Sequence, residues 1–216
     1  MLRLRKILYL VVYVAIFASS YALADSSYEK LIRAVEEGEI DTVRMLLKRG
    51  MDPNTTDPRG NSILMIAARK GDEKIVAMLI GQRANVGQRS PAGDTALLMA
   101  CLNGNAPTVR RLLDGGGELN PKQGWAPLHY AAFAGNPGIA KLLLDRGANK
   151  DAVAPNGYTP LMLAARNGKS KVAKAILYRD PDVNYRTESG ETALKIARKR
   201  DMKDLEALLV RSGAVE

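Results

Sequence analysis

The 216-residue chain is 46% hydrophobic and 25% charged, a composition that excludes an intrinsically disordered protein. Its formal net charge of +9 favours acidic partners or anionic surfaces. A single His and a single Cys exclude both an intramolecular disulfide and a Cys/His zinc site.

The N-terminus has the order of a secretory signal. Three basic residues within the first six precede an uncharged apolar run over residues 7–18, and Ala22-Leu23-Ala24 follows. We therefore predict a signal peptide over residues 1–24, cleaved after Ala24, and a bacterial protein that is periplasmic or secreted. The alternative is an uncleaved membrane anchor, because residues 7–24 approach the length of a membrane span. Cleavage would leave no membrane span, and nucleic acid is a poor candidate partner for an exported protein.

Glycine recurs after residue 59 at a nearly constant spacing. The recurring glycines are residues 60, 93, 124, 157 and 190, spaced by 33, 31, 33 and 33 residues. Each is followed by a run of small and apolar residues, which includes an Ala-Ala pair in three of the units. Such a period is typical of stacked repeats, in which each unit buries its apolar face against a neighbour.

Helix start and stop signals recur at the same period. We predict hydroxyl caps for the first helix of four units, at Ser62, Thr95, Thr159 and Thr192. We also predict that glycine ends most second helices in a left-handed conformation, at Gly50, Gly116, Gly147 and Gly213. Two units have another residue there, Arg83 and Asp180, at a cost of about 1 kcal/mol each. Leucine pairs in the second helices, ending with Leu209-Val210, are expected to fill the core.

The stretches Ala126-Pro127-Leu128-His129 and Thr159-Pro160-Leu161, each followed by Ala-Ala, resemble the ankyrin repeat family over nearly all of the predicted mature chain. The resemblance implies an all-α solenoid of helix-turn-helix units joined by hairpin-like loops. We expect one ankyrin repeat domain over residues 25–216. Its units are an N-terminal cap at 27–59, internal repeats at 60–92, 93–123, 124–156 and 157–189, and a C-terminal cap at 190–216.

Catalytic chemistry is not expected in this chain. The one histidine, His129, occupies the Thr-Pro-Leu-His position, and the resemblance implies that it bonds the loop backbone of adjacent units. Cys101 takes the place of a small alanine and is expected to be buried. Gly168-Lys169-Ser170 lacks the earlier glycine that a phosphate-binding loop requires. We therefore expect neither an enzyme nor a metal or cofactor site.

The resemblance implies a concave face, made of hairpin tips and exposed first-helix ends, that binds proteins. Trp125 and Phe133 are the only Trp and Phe after residue 24, and both map to this face. Trp125 is either a binding hot spot or a side chain that folds onto its neighbouring hairpin, where unit 93–123 is two residues short. In the first case, Trp125→Ala should leave folding nearly intact. The candidate protein-binding residues are Arg69, Lys70, Trp125, Phe133, Tyr158, Arg166, Asn167, Lys199 and Arg200.

These observations favour a monomeric, non-catalytic protein-interaction module that acts as a scaffold or as an inhibitor or immunity-type protein. Its unidentified partner would carry an acidic rim that complements the basic residues of the mapped face. Two alternatives stay open at this point: an accessory protein for a periplasmic stress-defence enzyme such as a catalase, and a binder of anionic envelope components.

Overall fold

The computed structural model describes residues 27–215, so the predicted signal peptide and its cleavage after Ala24 lie outside the described residues. The described chain is all-α, as predicted, with one isolated antiparallel bridge between Thr56 and Ser62. Its twelve helices are α1 (27–37), α2 (Ile40–Lys48), α3 (Ile63–Lys70), α4 (Glu73–Gly81), α5 (Ala96–Asn103), α6 (Ala106–Asp114), α7 (Pro127–Ala134), α8 (Pro137–Asp145), α9 (Pro160–Arg166), α10 (Ser170–Leu177), α11 (Ala193–Lys199) and α12 (Lys203–Arg211).

The helices stack in two layers. The first helices of successive units, α3, α5, α7, α9 and α11, each contact the next one in the series. The second helices, α2, α4, α6, α8, α10 and α12, form a parallel series in the same way. Each unit thus covers the apolar face of its neighbour, which is the solenoid arrangement that the period predicts. No helix within residues 27–215 is both long and apolar enough to cross a membrane.

The predicted hydroxyl caps are confirmed. In each case the side-chain oxygen accepts a bond from the backbone N–H three residues later, as when Ser62 accepts from Met65 at 3.2 Å and Thr192 accepts from Lys195 at 3.1 Å. Thr95 and Thr159 do the same for α5 and α9. Each cap satisfies one N–H that has no partner within its own helix. The caps therefore fix where the first helices begin.

The core runs the length of the stack between the two layers. Leu97 and Leu128 in the first helices are fully buried, and so is the Ala131-Ala132 pair, whose small side chains let α5 and α7 approach closely. The prediction for the second-helix pairs holds only in part, because Val210 is half exposed. Both members are buried in Leu46-Leu47 and in Leu143-Leu144, so the exposure of Val210 is not general to the pairs.

The left-handed conformations fall where the sequence places them. The four predicted glycines all have positive φ, and Arg83 and Asp180 share that region at 63° and 52°. Asp201 is a third such residue that the sequence did not indicate. At the end of α10, the Lys150 ammonium group donates to the backbone carbonyls of Arg179 and Asp180. A cation beside the carbonyls that follow a helix end offsets part of the cost of the missing glycine.

Side-chain amides and carboxylates tie each unit to the next. Asn105 caps α6 by accepting from the Thr108 N–H at 3.0 Å, and its amide nitrogen donates to the Gly71 carbonyl of the preceding unit at 2.9 Å. Further bonds join the loops that follow the second helices. In each, a backbone N–H donates to a side-chain oxygen of the preceding unit: Asn85 to Asn54, Asn149 to Asn120, Asp182 to Asp151 and Val215 to Asn184. Neighbouring loops are therefore held in register by hydrogen bonds as well as by apolar packing.

A pair of glycine substitutions tests this loop contact. Gly71 and Gly168 both end first helices with positive φ, 76° and 69°. A Cβ at Gly71 would lie 2.7 Å from the Asn105 amide nitrogen, whereas at Gly168 it would meet nothing within 4 Å. We expect Gly168→Ala to cost about 1 kcal/mol of unfolding free energy through backbone strain alone, and Gly71→Ala to cost more. Urea denaturation measures both, and equal losses would show that Asn105 moves aside without cost.

Candidate protein-binding surface

The ends of the first helices form a row of exposed side chains. Because α3, α5 and α7 each stop at a left-handed glycine, their last turns project beyond the packed core. Equivalent positions on successive helices carry Arg69, Leu102, Phe133, Arg166 and Lys199, all of them exposed. We call this row, together with the side chains that follow the recurring glycines, the first-helix face. The row is apolar in its middle and basic toward both ends.

An open apolar pocket lies in the middle of the first-helix face. Its volume is about 210 Å³, and its lining is Leu102, Trp125, His129, Tyr130 and Phe133. Phe133 is 54% exposed and Leu102 39% exposed. Together with the concave apolar wall beside them, these two side chains form an exposed apolar patch, and such patches are candidate binding surfaces.

Trp125 combines features of both sequence interpretations. It is partly buried and packs against the core, with its ring edge-on to His129 at 5.6 Å and to Tyr130 at 6.3 Å between centroids. Another part of the same side chain lines the pocket. Trp125 therefore forms a wall of the pocket and also stabilises its own unit, whereas Phe133 at the rim is the more exposed of the two aromatic residues.

The hairpin before Trp125 closes differently from the others. In the other hairpins a pair of backbone bonds closes the turn, as between Asp57 and Asn61 and between Asp57 and Gly60. Pro121 stands at the position of Asp57 in the short unit and has no N–H to donate. The loop at 117–125 therefore cannot close in the same way.

Three pocket residues, Leu102, His129 and Tyr130, were not among the binding candidates, and His129 was expected to be structural. Leu102 occupies the position of Phe133 one unit earlier, so the repeat alignment was a usable signal for it. Tyr130 had no such signal, because the equivalent positions hold aliphatic residues and predict only core. Its hydroxyl donates to Asp94 at 2.5 Å. Burial, together with this bond, raises the pKa of Tyr130 well above its usual value, so the ring stays neutral and fixed.

A second, polar pocket adjoins the basic end of the row. Arg166, Lys199 and Arg200 line it above the buried Ile196, together with Tyr158 and Glu191, in a volume of about 410 Å³. The Tyr158 hydroxyl donates to Glu191, which raises the pKa of Tyr158, and the Arg166 guanidinium lies 5.1 Å from the Tyr158 ring centroid. A cation over an aromatic face is held without losing its charge.

The remaining candidates are less available. The Asn167 side chain donates back to the Leu163 carbonyl of its own helix at 2.9 Å. The Lys70 ammonium group donates to the Glu36 carbonyl of the preceding unit. Arg69 and Lys70 lie on α3, apart from both pockets. The structure thus brings Trp125 with Phe133, and Tyr158 with Arg166, Lys199 and Arg200, into two neighbouring clusters.

His129 bonds loop backbone, as the resemblance implies, but both bonds lie within its own unit and join the start of α7 to the hairpin loop after α8. Its Nδ1 accepts from the Ala126 N–H at 3.0 Å, so Nε2 carries the hydrogen and donates to the Ala152 carbonyl of the next loop at 3.0 Å. The side chain has no exposed surface, and burial lowers the pKa of His129 from its ordinary value of 6.5. Protonation would put a second hydrogen against the Ala126 N–H and break that bond.

Cys101 is also fully buried, as predicted, and burial raises the pKa of its thiol. It is therefore a packing residue rather than a nucleophile. Within residues 27–215, no three potential metal ligands among His, Cys, Asp and Glu come together.

The buried histidine predicts how stability depends on pH. Because the pKa of His129 is lower in the folded chain than in the unfolded chain, its contribution is complete above pH 6.5 and is lost as the pH falls through the folded pKa. The unfolding free energy should decline between pH 7 and pH 5.5 by no more than about 1.4 kcal/mol per pH unit. Since His129 is the one histidine, His129→Gln should flatten this decline in urea titrations. An unchanged slope would assign the titration to another group.

The two aromatic residues of the apolar pocket should differ in their effect on stability. Trp125→Ala removes the packing on His129 and Tyr130 and should cost about 1–3 kcal/mol. Phe133→Ala removes a mostly exposed ring and should cost less than about 0.5 kcal/mol. Chemical denaturation of both variants measures the difference. A loss for Phe133→Ala as large as that for Trp125→Ala would mean that the Phe133 ring is structural.

Comparison with known proteins agrees with this architecture. A family model described as ankyrin repeats in three copies matches residues 64–154, and two described as ankyrin repeats in many copies match residues 31–80 and 143–197. The crystal structure of the human ASB11 ankyrin repeat domain is similar, with a TM-score of 0.80 and 25% sequence identity over 86% of this chain and 84% of that chain. No curated protein matches the sequence. Ankyrin repeats are typically non-catalytic scaffolds for protein–protein interaction, and this chain belongs to the ankyrin repeat family.

Proposed function

We propose that this protein is exported and binds a partner protein on its first-helix face as a non-catalytic scaffold or inhibitor. The observation that carries the proposal is the open apolar pocket, with Phe133 at its rim more than half exposed. Aromatic side chains dominate the binding energy of protein interfaces, and they do so from the centre of the contact. The pocket has this central place in the row of first-helix ends.

The walls of the pocket are fixed before any partner arrives. Trp125 is held by edge contacts with His129, and His129 is held by two backbone bonds. Tyr130 is held by its bond to Asp94. A partner that inserts a side chain here therefore does not have to order the surface that receives it, which lowers the entropic cost of association. This rigidity supports a binding role over that of a flexible linker.

Export rests on the N-terminal sequence, whose basic, apolar and small-residue segments are in the order of a secretory signal. Fractionation of bacterial cells that express the full chain tests this part of the proposal. N-terminal sequencing of the recovered protein then tests cleavage after Ala24. An intact chain in the membrane fraction would support the uncleaved anchor instead.

Site-specific photocrosslinking tests the binding face. With a photoreactive residue in place of Leu102, a partner should be crosslinked, whereas the same residue in place of Tyr178 on the second-helix side should capture nothing. Phe133→Ser should weaken capture about 10- to 100-fold, because it removes a central aromatic contact.

Tyr178→Ser is the matched control, because Tyr178 is 87% exposed and lies outside both pockets. Equal losses for Phe133→Ser and Tyr178→Ser would place the interface elsewhere and contradict the proposal. The identity of the captured protein separates the roles. A stress-defence enzyme whose activity is preserved by the complex would indicate an accessory protein, and an enzyme that loses activity would indicate an inhibitor.

A further inference from the structure

We infer that the partner presents an extended acidic segment with a single apolar anchor, which lies across the first-helix ends. This inference rests on the proposed function and adds the chemistry of the partner. It is carried by the group of cations that line the polar pocket with a single carboxylate, and by the size of the apolar pocket.

Arginines of the second-helix layer are paired with carboxylates of neighbouring units. Arg111 bonds Glu73 at 3.0 Å, Arg146 bonds Asp114 at 2.9 Å, and Arg179 bonds Asp145. These pairs are exposed and contribute little to stability, but each neutralises a charge that would otherwise face solvent. Other cations of this layer, such as Lys141 and Lys174, form no ion pair within residues 27–215, but they lie on separate helices and line neither pocket of the first-helix face.

The basic end of the first-helix row has no such compensation. Lys199 and Arg200 form no ion pair within residues 27–215, and Arg166 lies over the Tyr158 ring. Glu191, the one carboxylate that lines this pocket, accepts the Tyr158 hydroxyl. Three cations thus converge on one carboxylate, which leaves a local excess of positive charge. Carboxylates on a partner complement such a site.

The apolar pocket limits the form of the ligand. About 210 Å³ is space for one apolar side chain. A helix that lies in a groove needs a series of anchors at its i, i+3, i+4 and i+7 positions, and a single pocket of this size does not supply them. An extended segment with one anchor residue fits the pocket better.

The spacing of the helices sets the spacing of the acidic residues. Packed helices lie about 8–10 Å apart and an extended chain advances about 3.3 Å per residue, so one helix corresponds to roughly three residues of ligand. Starting from Phe133 on α7, Arg166 on α9 is one helix away and Lys199 on α11 is two. The anchor should therefore be followed by acidic residues about three and six positions away.

A designed peptide tests this inference directly. The probe is a fluorescein-labelled peptide of about 13 residues, with a central phenylalanine, glutamates about three and six positions to either side, and glycine and serine elsewhere. Its symmetry makes the test independent of chain direction. We expect fluorescence anisotropy to show saturable binding to the full chain. Exchanging the phenylalanine for serine, or the glutamates for glutamines, should each weaken binding about ten-fold or more.

Matched protein variants separate a specific site from general attraction to a basic surface. Lys199→Gln with Arg200→Gln removes two positive charges from the polar pocket, and Lys141→Gln with Lys174→Gln removes two from exposed positions on the second helices. The first pair should weaken peptide binding about ten-fold at low salt, and the second should change it less than about two-fold. The control is circular dichroism, which should show that all four substitutions leave the helices intact.

Three outcomes would overturn the inference. The probe does not bind, the two double variants lose the same amount of peptide affinity, or phosphatidylglycerol vesicles displace the probe completely. The last result would indicate an anionic surface in place of an acidic peptide. The proposed function has a separate readout. If a partner still crosslinks beside Phe133 while the probe does not bind, the proposed binding face stands and only the acidic segment is rejected. Failure of both measurements would reject both.

Discussion

Burial of each first helix against the next is the constraint on which the rest of this structure depends. A single pair of helices of this length cannot cover its own apolar face, so every unit needs neighbours. The paired alanines at the contact are fully buried, and they allow first helices to pack closely enough to exclude water. The same stacking aligns equivalent residues of successive units, which turns a pattern in sequence into a continuous row on the surface.

The junction between units 93–123 and 124–156 departs most from the repeat, and it carries the candidate site. The loop before Gly124 is two residues short, Pro121 removes the donor that closes other hairpins, and Ala126 replaces the hydroxyl cap of α7. The His129 ring accepts a bond from the Ala126 N–H, the His129 N–H donates to the Ala126 carbonyl, and Trp125 packs against the same ring. Departures from a local rule concentrate at functional sites when other contacts compensate for them. Here the compensating contacts are also the walls of the pocket.

Electrostatics distinguishes the polar pocket from the rest of the surface. On the second helices, several arginines pair with carboxylates of neighbouring units, as Arg111 does with Glu73. At the polar pocket, three cations lie with one carboxylate, and Arg166 has a cation–π contact with Tyr158. A local excess of one sign beside an apolar pocket attracts and orients a partner.

The sequence by itself determined the helices, their caps and their stacking, because the signals for these are local and recur with the repeat. Ser62 predicts a cap from its place before a helix, and Gly147 predicts a left-handed stop from its place after one. Only the tertiary structure decided that Tyr130, at a position that predicts core, opens onto a pocket, and that Asn167 bonds its own helix. Such outcomes depend on which neighbour covers a side chain. Repeat periodicity alone does not specify that neighbour.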